Sequence, residues 1–377
     1  MNYETLRLVW WALLGILLIG LAIMDGFDLG TAILLPFVGR SDIERRMVIN
    51  TVGPVWEGNQ VWLILGGGAI FAAWPPLYAT AFSGFYLAMF LVLAALILRP
   101  VGFKFRSKLT SPAWRSMWDW ALFVGGLVPA LIFGVAFGNL FVGVPFGFDG
   151  DLRMHETITL FSLLNPFALL AGLISVAMVT LHGATWLSLK ADGAPGTRAR
   201  AVVPYAAVVF MLLFTVAGVW VLQLDGFRIT SAVVEGGPSN PLLKTVTRVT
   251  GGWWGNYALH PSFWLAPAVA YLGAAIAVLA CGRRSPLIAW IGSALVPLGT
   301  IATAGLSLFP FLLPSSSDPD MSLTVWDASS SKLTLEIMLG CTVVFLPIVL
   351  AYTAWAYRIL RGPVKAESIS SDSQSNY

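Results

Sequence analysis

The chain has 377 residues, of which 57% are hydrophobic and 11% are charged, and its formal net charge is +3. Soluble domains carry about 25% charged residues, so this composition excludes a soluble globular protein. The mean hydropathy of +0.80 and the long apolar runs indicate an integral membrane protein. Its spanning segments are predicted to be helices, because a barrel would show short alternating segments instead.

The first apolar run, residues 8–36, is too long for a signal-peptide core and lacks a small-residue cleavage site, so it predicts a retained helix. Later apolar runs predict further membrane helices. They lie at about 77–98, 119–141, 164–187, 202–222, 262–281, 286–309 and 335–357.

Segment 52–74 decides whether the helices number eight or nine, because its first half is polar and its second half is apolar. If it spans, 15 Lys and Arg residues lie on one side of the membrane and 6 on the other, with Arg99 left out as a boundary residue. If it does not span, the split is 13 to 8. Positive residues concentrate on the cytoplasmic side. We therefore expect nine helices, with the N-terminus outside and the C-terminus in the cytoplasm.

The outside connection 223–261 contains proline, glycine and aromatic residues, which argues against a simple linker. We expect it to pack on the bilayer surface through Trp253, Trp254 and Tyr257.

The C-terminal residues 363–377 are mostly polar, and we expect them to form a disordered cytoplasmic tail. The remaining residues, 1–362, are predicted to form a single polytopic membrane domain.

Two acidic residues, Asp25 and Asp28, lie inside the first apolar run. A carboxylate at bilayer depth costs about 2.5–3.5 kcal/mol, so such acids usually face a bundle interior, a partner or a water-filled path. The i, i+3 spacing puts both on one helix face, where they repel unless one is protonated or a cation is present. A proton path needs such groups. The alternative is a structural role, as caps or in pairs with arginine at a helix or subunit contact.

Glu57 lies at the polar end of segment 52–74, beside Asn59 and Gln60, whose amides could orient its carboxyl group or bound waters. Arg99, at the end of the run 77–98, is the candidate counter-ion for one of the acids. The alternative for Arg99 is that its long side chain reaches the lipid headgroups.

Histidine is scarce: His155 and His260 fall in outside loops, and His182 alone is close to membrane depth. A haem held by two histidines needs a facing pair, so we expect this chain to bind no haem or metal. We expect His182 to be a hydrogen-bonded structural residue. These features leave two function classes open, a transporter with intramembrane acids and a non-haem subunit of an electron-transfer complex.

Ten motifs, in order and with conserved spacing, closely resemble subunit II of the cytochrome bd-type quinol oxidases over about residues 3–358. They are Asp25–Gly30, Trp56–Trp62, Phe71–Pro75, Phe82–Tyr86, Arg99–Phe103, Trp118–Trp120, Gly134–Asn139, Asn165–Phe167, Leu323–Ser330 and Tyr352–Trp355. The resemblance implies nine helices arranged as two four-helix bundles plus one peripheral helix.

The same resemblance implies a bacterial inner-membrane oxidase whose partner, subunit I, holds two haem b groups and haem d. In this family quinol is oxidised and oxygen is reduced to water without proton pumping. The charge separation across the membrane follows from where the sites of the two reactions lie. A small single-helix subunit is a further candidate partner, and some members hold a structural quinone. No nucleic-acid partner is expected in this lipid-embedded complex.

Carried over to this sequence, the resemblance implies a proton route from the cytoplasm along the subunit interface. The route's acidic position matches Glu57, and Asp25 and Asp28 match the acidic pair of the family's first-helix motif. These three residues are the proton-path candidates. The supporting polar or counter-ion candidates are Asn59, Gln60, Arg99 and Asp119. Trp62 matches a tryptophan at the mouth of an oxygen tunnel described in some members. A secondary transporter and a cyanide-insensitive oxidase of the same family are the alternative functions.

Overall fold

The computed structural model describes residues 1–371, which are helical apart from short hairpins and connections. The helices are α1 (Tyr3–Val38), α2 (Asp42–Val52), α3 (Trp56–Ala73), α4 (Pro75–Gly84), α5 (Tyr86–Phe105), α6 (Pro112–Val142), α7 (Pro166–Lys190), α8 (Gly193–Val221), α9 (Gly255–Leu259), α10 (Leu265–Gly282), α11 (Pro286–Leu308), α12 (Lys332–Ile359) and α13 (Ala366–Ser371). Antiparallel strand pairs connect helix ends: β1 (Phe146–Phe148) with β2 (Met154–Glu156), β3 (Asp225–Ile229) with β4 (Val246–Thr250), and β5 (Phe311–Leu313) with β6 (Leu323–Thr324).

Eight helices within the described residues are long and apolar enough to cross a membrane, which confirms a polytopic all-α membrane protein. They are α1, α5, α6, α7, α8, α10, α11 and α12. Segment 52–74 forms the 18-residue helix α3, but its polar first turns lower its hydropathy, so the number nine stays a prediction.

Two helix boundaries follow from local sequence. Helix α3 ends at Ala73 because the prolines at 75 and 76 cannot continue it. The single helix predicted over 77–98 is instead divided into α4 and α5 at Phe85, whose φ of −91° and ψ of 17° leave the helical region.

The helices pack as two groups of four. In the first, α1 contacts α3 and α6, and α6 contacts α5; in the second, α7 contacts α8 and α11, and α10 contacts α8 and α11. Helices α1 and α6 also pack on α7, which joins the groups. Helix α12 touches α1 and α3, and Leu335 is the one buried residue among its 28 described residues, so α12 is peripheral. This is the arrangement that the sequence resemblance implies.

The close approach of α1 and α7 depends on two glycines. Gly30, the last residue of the Asp25–Gly30 motif, faces Gly183, and a Cβ atom added at either position would overlap the backbone of the other helix. Small residues allow helix backbones to come this near in a membrane. The contact brings α7 beside the turn of α1 that carries the two acids.

The prediction that the connection 223–261 packs on the bilayer through its aromatic residues was wrong for two of the three. Trp253 and Tyr257 are buried in the protein. Trp253 Nε1 donates to Phe141 O at 3.0 Å, and Tyr257 OH lies 3.0 Å from Ser307 Oγ. The cause is the β3–β4 hairpin, which folds the connection onto the ends of α6 and α11.

The predicted tail 363–377 lies partly outside the described residues, which end at 371. Val364 pairs with Ala191, and residues 366–371 form α13 where the sequence predicts disorder. The apolar side chain of Ile369 accounts for this difference, because it is fully buried where α13 packs on α2.

Candidate functional site

The centre of the site is a buried ion pair between α1 and α5. Asp25 and Asp28 are each 1% exposed, and Arg99 is 0% exposed. Arg99 Nη2 donates to Asp25 Oδ1 at 2.8 Å and lies 3.7 Å from Asp28 Oδ2. Arg99 therefore faces both acids and does not reach towards the headgroups.

Helix α3 supplies two more side chains to this cluster, because Trp56 and Asn59 are three residues apart and share its inner face. Asn59 Nδ2 donates to Asp28 Oδ2 at 2.9 Å. The Trp56 ring lies 5.9 Å from the Arg99 guanidinium carbon, within cation–π range.

Helix α12 reaches the cluster through Tyr357. Its hydroxyl donates to Asn59 Oδ1 at 2.7 Å, and its ring packs edge-on against Trp186 with a centroid distance of 6.3 Å. We name Asp25, Asp28, Asn59, Arg99 and Tyr357 the acid cluster. It draws on α1, α3, α5 and α12.

The charge balance of the acid cluster is unequal, since two carboxylates face one guanidinium. Asp25 Oδ2, Asp28 Oδ1 and Arg99 Nε and Nη1 are buried without a hydrogen-bond partner among the described residues. A buried charge is stable only when paired and hydrogen-bonded. One added proton makes the cluster neutral, so its composition suits reversible proton binding.

Glu57 does not join the acid cluster. It is exposed, and it lies about 200° around α3 from the buried Asn59. The expectation that Asn59 orients the Glu57 carboxyl group or its waters is therefore not met, because the two side chains point to different sides of α3. Gln60 is half-buried. Val61, Ile64 and Leu65 continue the exposed side of α3 beyond Glu57.

The other two candidates also lie outside the acid cluster. Asp119 belongs to a separate cluster, where it accepts from Arg106 Nε at 2.5 Å and from Arg45 Nη1 at 2.8 Å. It is thus no counter-ion of the acid cluster. Trp62 is half-buried and packs on α1, where its ring occupies the space that a Cβ atom at Gly20 would need.

An ion pair near Asp119's cluster links α2 to α8. Arg198 Nη2 and Nη1 lie 2.8 and 2.9 Å from the two carboxylate oxygens of Glu44. The hydrogen bonds from Arg198 lower the pKa of Glu44 from 4.5 to about 2. Glu44 also completes the capping box of α2 with Ser41.

His182 is hydrogen-bonded on both ring nitrogens, as predicted. Nε2 lies 3.0 Å from Ile23 O on α1, and Nδ1 lies 2.7 Å from Ser293 Oγ on α11. Since a carbonyl oxygen only accepts, Nε2 carries the proton. His182 thus links α7 to α1 close to the acid cluster. Among the described residues, no group of three or more His, Cys, Asp or Glu side chains could hold a metal ion.

A cavity of about 530 Å³ lies between the two helix groups, with Asp25 in its wall. The wall is apolar for most of its area, and Trp253, Tyr257 and Tyr271 line its other parts. Its apolar wall fits an apolar chain rather than a charged solute.

Sequence reasoning missed Tyr357. It follows the Tyr352–Trp355 motif, but its partner Asn59 is 298 residues away. A helical projection of α12 could have placed Tyr357 on the inner face with Thr353 and Ala356, which are also half-buried. No local pattern indicates what it contacts.

A family model described as "Cytochrome bd terminal oxidase subunit II" matches residues 6–360. The chain is 49% identical to the "Probable cytochrome oxidase subunit 2" of Haemophilus influenzae and 48% identical to the "Cytochrome bd-I ubiquinol oxidase subunit 2" of Escherichia coli, and both alignments cover 100% of both chains. It is 31% identical to the "Cytochrome bd ubiquinol oxidase subunit 2" of Bacillus subtilis, with 94% of this chain and 95% of the relative covered.

The fold is similar to a chain in the solved structure of the bd oxidase from Geobacillus thermodenitrificans. The TM-score is 0.70 at 17% identity, and the match covers 94% of this chain and 98% of that one. At this identity the likeness concerns the fold alone.

Proposed function

The chain belongs to the cytochrome bd terminal oxidase subunit II family, and from this premise we propose that its acid cluster and Glu57 deliver protons to haems held by a partner subunit. As a member, it is a subunit of a membrane-bound oxidoreductase complex of the respiratory chain, which contains haem and a partner subunit I. Membership favours this function over the secondary transporter.

The excess of one acid in the cluster is the observation that carries the proposal. Asp25 and Asp28 share one arginine, so the cluster holds one more acid than it has cations. Two carboxylates with one cation are neutral with one proton bound and carry a charge of −1 without it, and the guanidinium near both carboxylates stabilises the charged state.

Glu57 connects the cluster to the partner in this proposal. It lies on an exposed side of α3 whose other members are apolar. A carboxylate facing lipid costs about 2.5–3.5 kcal/mol. We therefore assign this side of α3 to the contact with subunit I, where waters or polar side chains of the partner can solvate Glu57.

We assign the haems, two haem b and one haem d, to subunit I. His155 and His260 are exposed in outer connections, and both nitrogens of the buried His182 are already bonded. The histidines of this chain therefore do not fit a haem site. Quinol and oxygen are then substrates of the complex, whose haem site lies in the partner.

The apolar cavity supports a bound structural quinone, which is a further part of the proposal. Its volume of about 530 Å³ and its apolar wall suit an isoprenoid chain.

Trp62 packs at the α1–α3 contact, where it could border an oxygen path. A small single-helix subunit stays a proposed partner.

We infer that the chain crosses the inner membrane nine times, so that its two termini lie on opposite sides. Tyr3 OH donates to Ser330 O at 2.5 Å, just before α12 begins. Lys190 Nζ donates to Gly362 O at 3.0 Å after α12 ends, and α13 packs on α2. Helix α12 thus starts beside the start of α1 and ends beside α2. Termini on opposite sides of the membrane need an odd number of crossings. The eight long apolar helices give an even number, so α3 supplies the ninth crossing. The Lys and Arg distribution favours an outside N-terminus.

Turnover per haem in Asp28→Asn tests the proposed function. Asparagine keeps the shape and can still accept from Asn59, but it cannot carry a proton. Turnover should fall about tenfold or more while haem content is retained. Asp151→Asn, in an exposed outer loop, is the control. Full turnover in Asp28→Asn would remove the acid cluster from proton delivery.

A further inference from the structure

Helix α12 has a peripheral position, and yet it contributes a side chain to the acid cluster. Its single buried residue, Leu335, lies near its start, about 22 residues before Tyr357. Near its end the inward side consists of the half-buried Thr353, Ala356 and Tyr357. The Tyr357–Asn59 hydrogen bond therefore ties an otherwise loosely packed helix end to the cluster.

The two hydrogen bonds of Asn59 together fix the orientation of its side-chain amide. A carboxylate only accepts, so the side of the amide that faces Asp28 must be the donating nitrogen, at 2.9 Å. The amide oxygen then faces α12, where the Tyr357 hydroxyl donates to it at 2.7 Å. If the amide turned over, its oxygen would face the carboxylate and its nitrogen would face the hydroxyl.

We propose that Tyr357 is a positioning residue for Asp28, acting through the side-chain amide of Asn59. This inference rests on the proposed function of the acid cluster. The hydroxyl holds Asn59 in the orientation that gives Asp28 a hydrogen-bond donor. Loss of the hydroxyl leaves the amide free to turn, and Asp28 then loses a donor that favours its charged form.

The charged and titratable groups near Asp28 come from several of the neighbouring helices. Asp25 lies on α1 itself, Arg99 comes from α5 and Tyr357 from α12. On α7, His182 bonds the α1 backbone at Ile23. Tyr357 is the member of this set that touches Asn59, so removal of its hydroxyl changes one contact and leaves the ion pair with Arg99 intact.

The test uses Tyr357→Phe in the assembled oxidase with both subunits. Phenylalanine keeps the ring that packs on Trp186. One hydrogen bond changes an equilibrium by about fivefold, and we expect a decrease of about that size in turnover per haem. The pH profile of turnover should move towards higher pH, because Asp28 holds its proton more tightly. Tyr352→Phe is the matched control, since Tyr352 lies on the same helix and is 66% exposed.

A double variant distinguishes positioning from a general packing effect. In an Asn59→Ala background the amide is absent, so Tyr357→Phe should change neither turnover nor the pH profile further. Additive losses would overturn the proposal. If Tyr357→Phe yields no assembled oxidase, Tyr357→Gln and Tyr357→Leu replace it, because they are similar in size and only glutamine can donate. Equal turnover of these two would also overturn the proposal.

Different results would contradict the proposed function of the acid cluster and the positioning role of Tyr357. Full turnover in Asp28→Asn removes the proposed function together with this inference. Reduced turnover in Asp28→Asn with Tyr357→Phe equal to Tyr352→Phe removes this inference alone.

Discussion

Arg99 on α5 and Asp25 on α1 form an ion pair, with 2.8 Å between Nη2 and Oδ1 and side chains that are 0% and 1% exposed. Both side chains are removed from bulk solvent, so each charge depends on the other. Asp28 lies 3.7 Å from the same nitrogen. One guanidinium thus holds two acids, so Arg99 bears both on the stability of the chain and on the proposed proton delivery.

Replacement of Arg99 should destabilise the subunit strongly. Arg99→Leu leaves two buried carboxylates without a cation, a change that costs about 3–5 kcal/mol. We expect a large loss of assembled oxidase, measured as haem per membrane protein, and partial recovery when Asp25→Asn is added. Arg115→Leu is the control, because its pair with Asp42 is partly exposed and such pairs contribute about 0–1 kcal/mol. Equal assembly of the two single variants would contradict the buried ion pair.

The Glu44–Arg198 pair makes a pH-dependent contribution to stability. The folded-state pKa of Glu44 is lowered from 4.5 to about 2, so its contribution is present above 4.5 and is lost as pH falls towards 2. In thermal unfolding of the oxidase, Glu44→Gln should be less stable than the parent at neutral pH, and the difference should shrink below pH 4.5. Arg198→Gln should show the same loss. A difference that stays constant with pH would contradict this assignment.

Cysteine labelling tests whether α3 crosses the membrane. If it does, residues 40 and 108 lie on the same side, because α3 and α5 both separate them. If it does not, they lie on opposite sides. In a chain with the exposed Cys341 replaced by serine, Arg40→Cys and Lys108→Cys should both resist an impermeant reagent added outside. Asp151→Cys should react. Outside labelling at 40 or 108 would refute nine crossings.

The sequence was sufficient to predict the long membrane helices and to single out the acid cluster's charged members. Long apolar runs identify membrane helices directly, and Asp25, Asp28 and Arg99 stand out because charges are rare in them. A cation near two buried acids lowers their repulsion, so Arg99 could be proposed from the sequence as a counter-ion. The structure was needed to exclude the alternative that the Arg99 side chain reaches the headgroups.

The remaining features depend on tertiary structure. Glu57 and Asn59 are neighbours in sequence, but the helix turns one outwards and the other towards Asp28. Tyr357 meets Asn59 only because the last membrane helix packs beside α3. Trp253 is buried by a hairpin whose partner strand could not be identified from local pattern. Asp119 could not be separated from the acid cluster without knowing that Arg45 and Arg106 surround it.

Glu57 is the residue on which the proposed link to the partner subunit depends. Its exposure on α3 suits a proton relay across the subunit contact, and it suits equally a pair with a cation of the partner. The variant Glu57→Gln distinguishes the two roles. An amide keeps the shape and hydrogen-bonding capacity of the side chain, but it cannot take up a proton.

Turnover per haem of the purified oxidase carrying Glu57→Gln is the most direct test of the account. We predict a clear decrease with nearly intact haem content, partial activity in Glu57→Asp, and no change in the control Glu336→Gln, whose side chain is 41% exposed on α12. A loss of haem content at unchanged turnover per haem would indicate a structural pair instead. Unchanged turnover per haem in Glu57→Gln would contradict proton delivery through this residue.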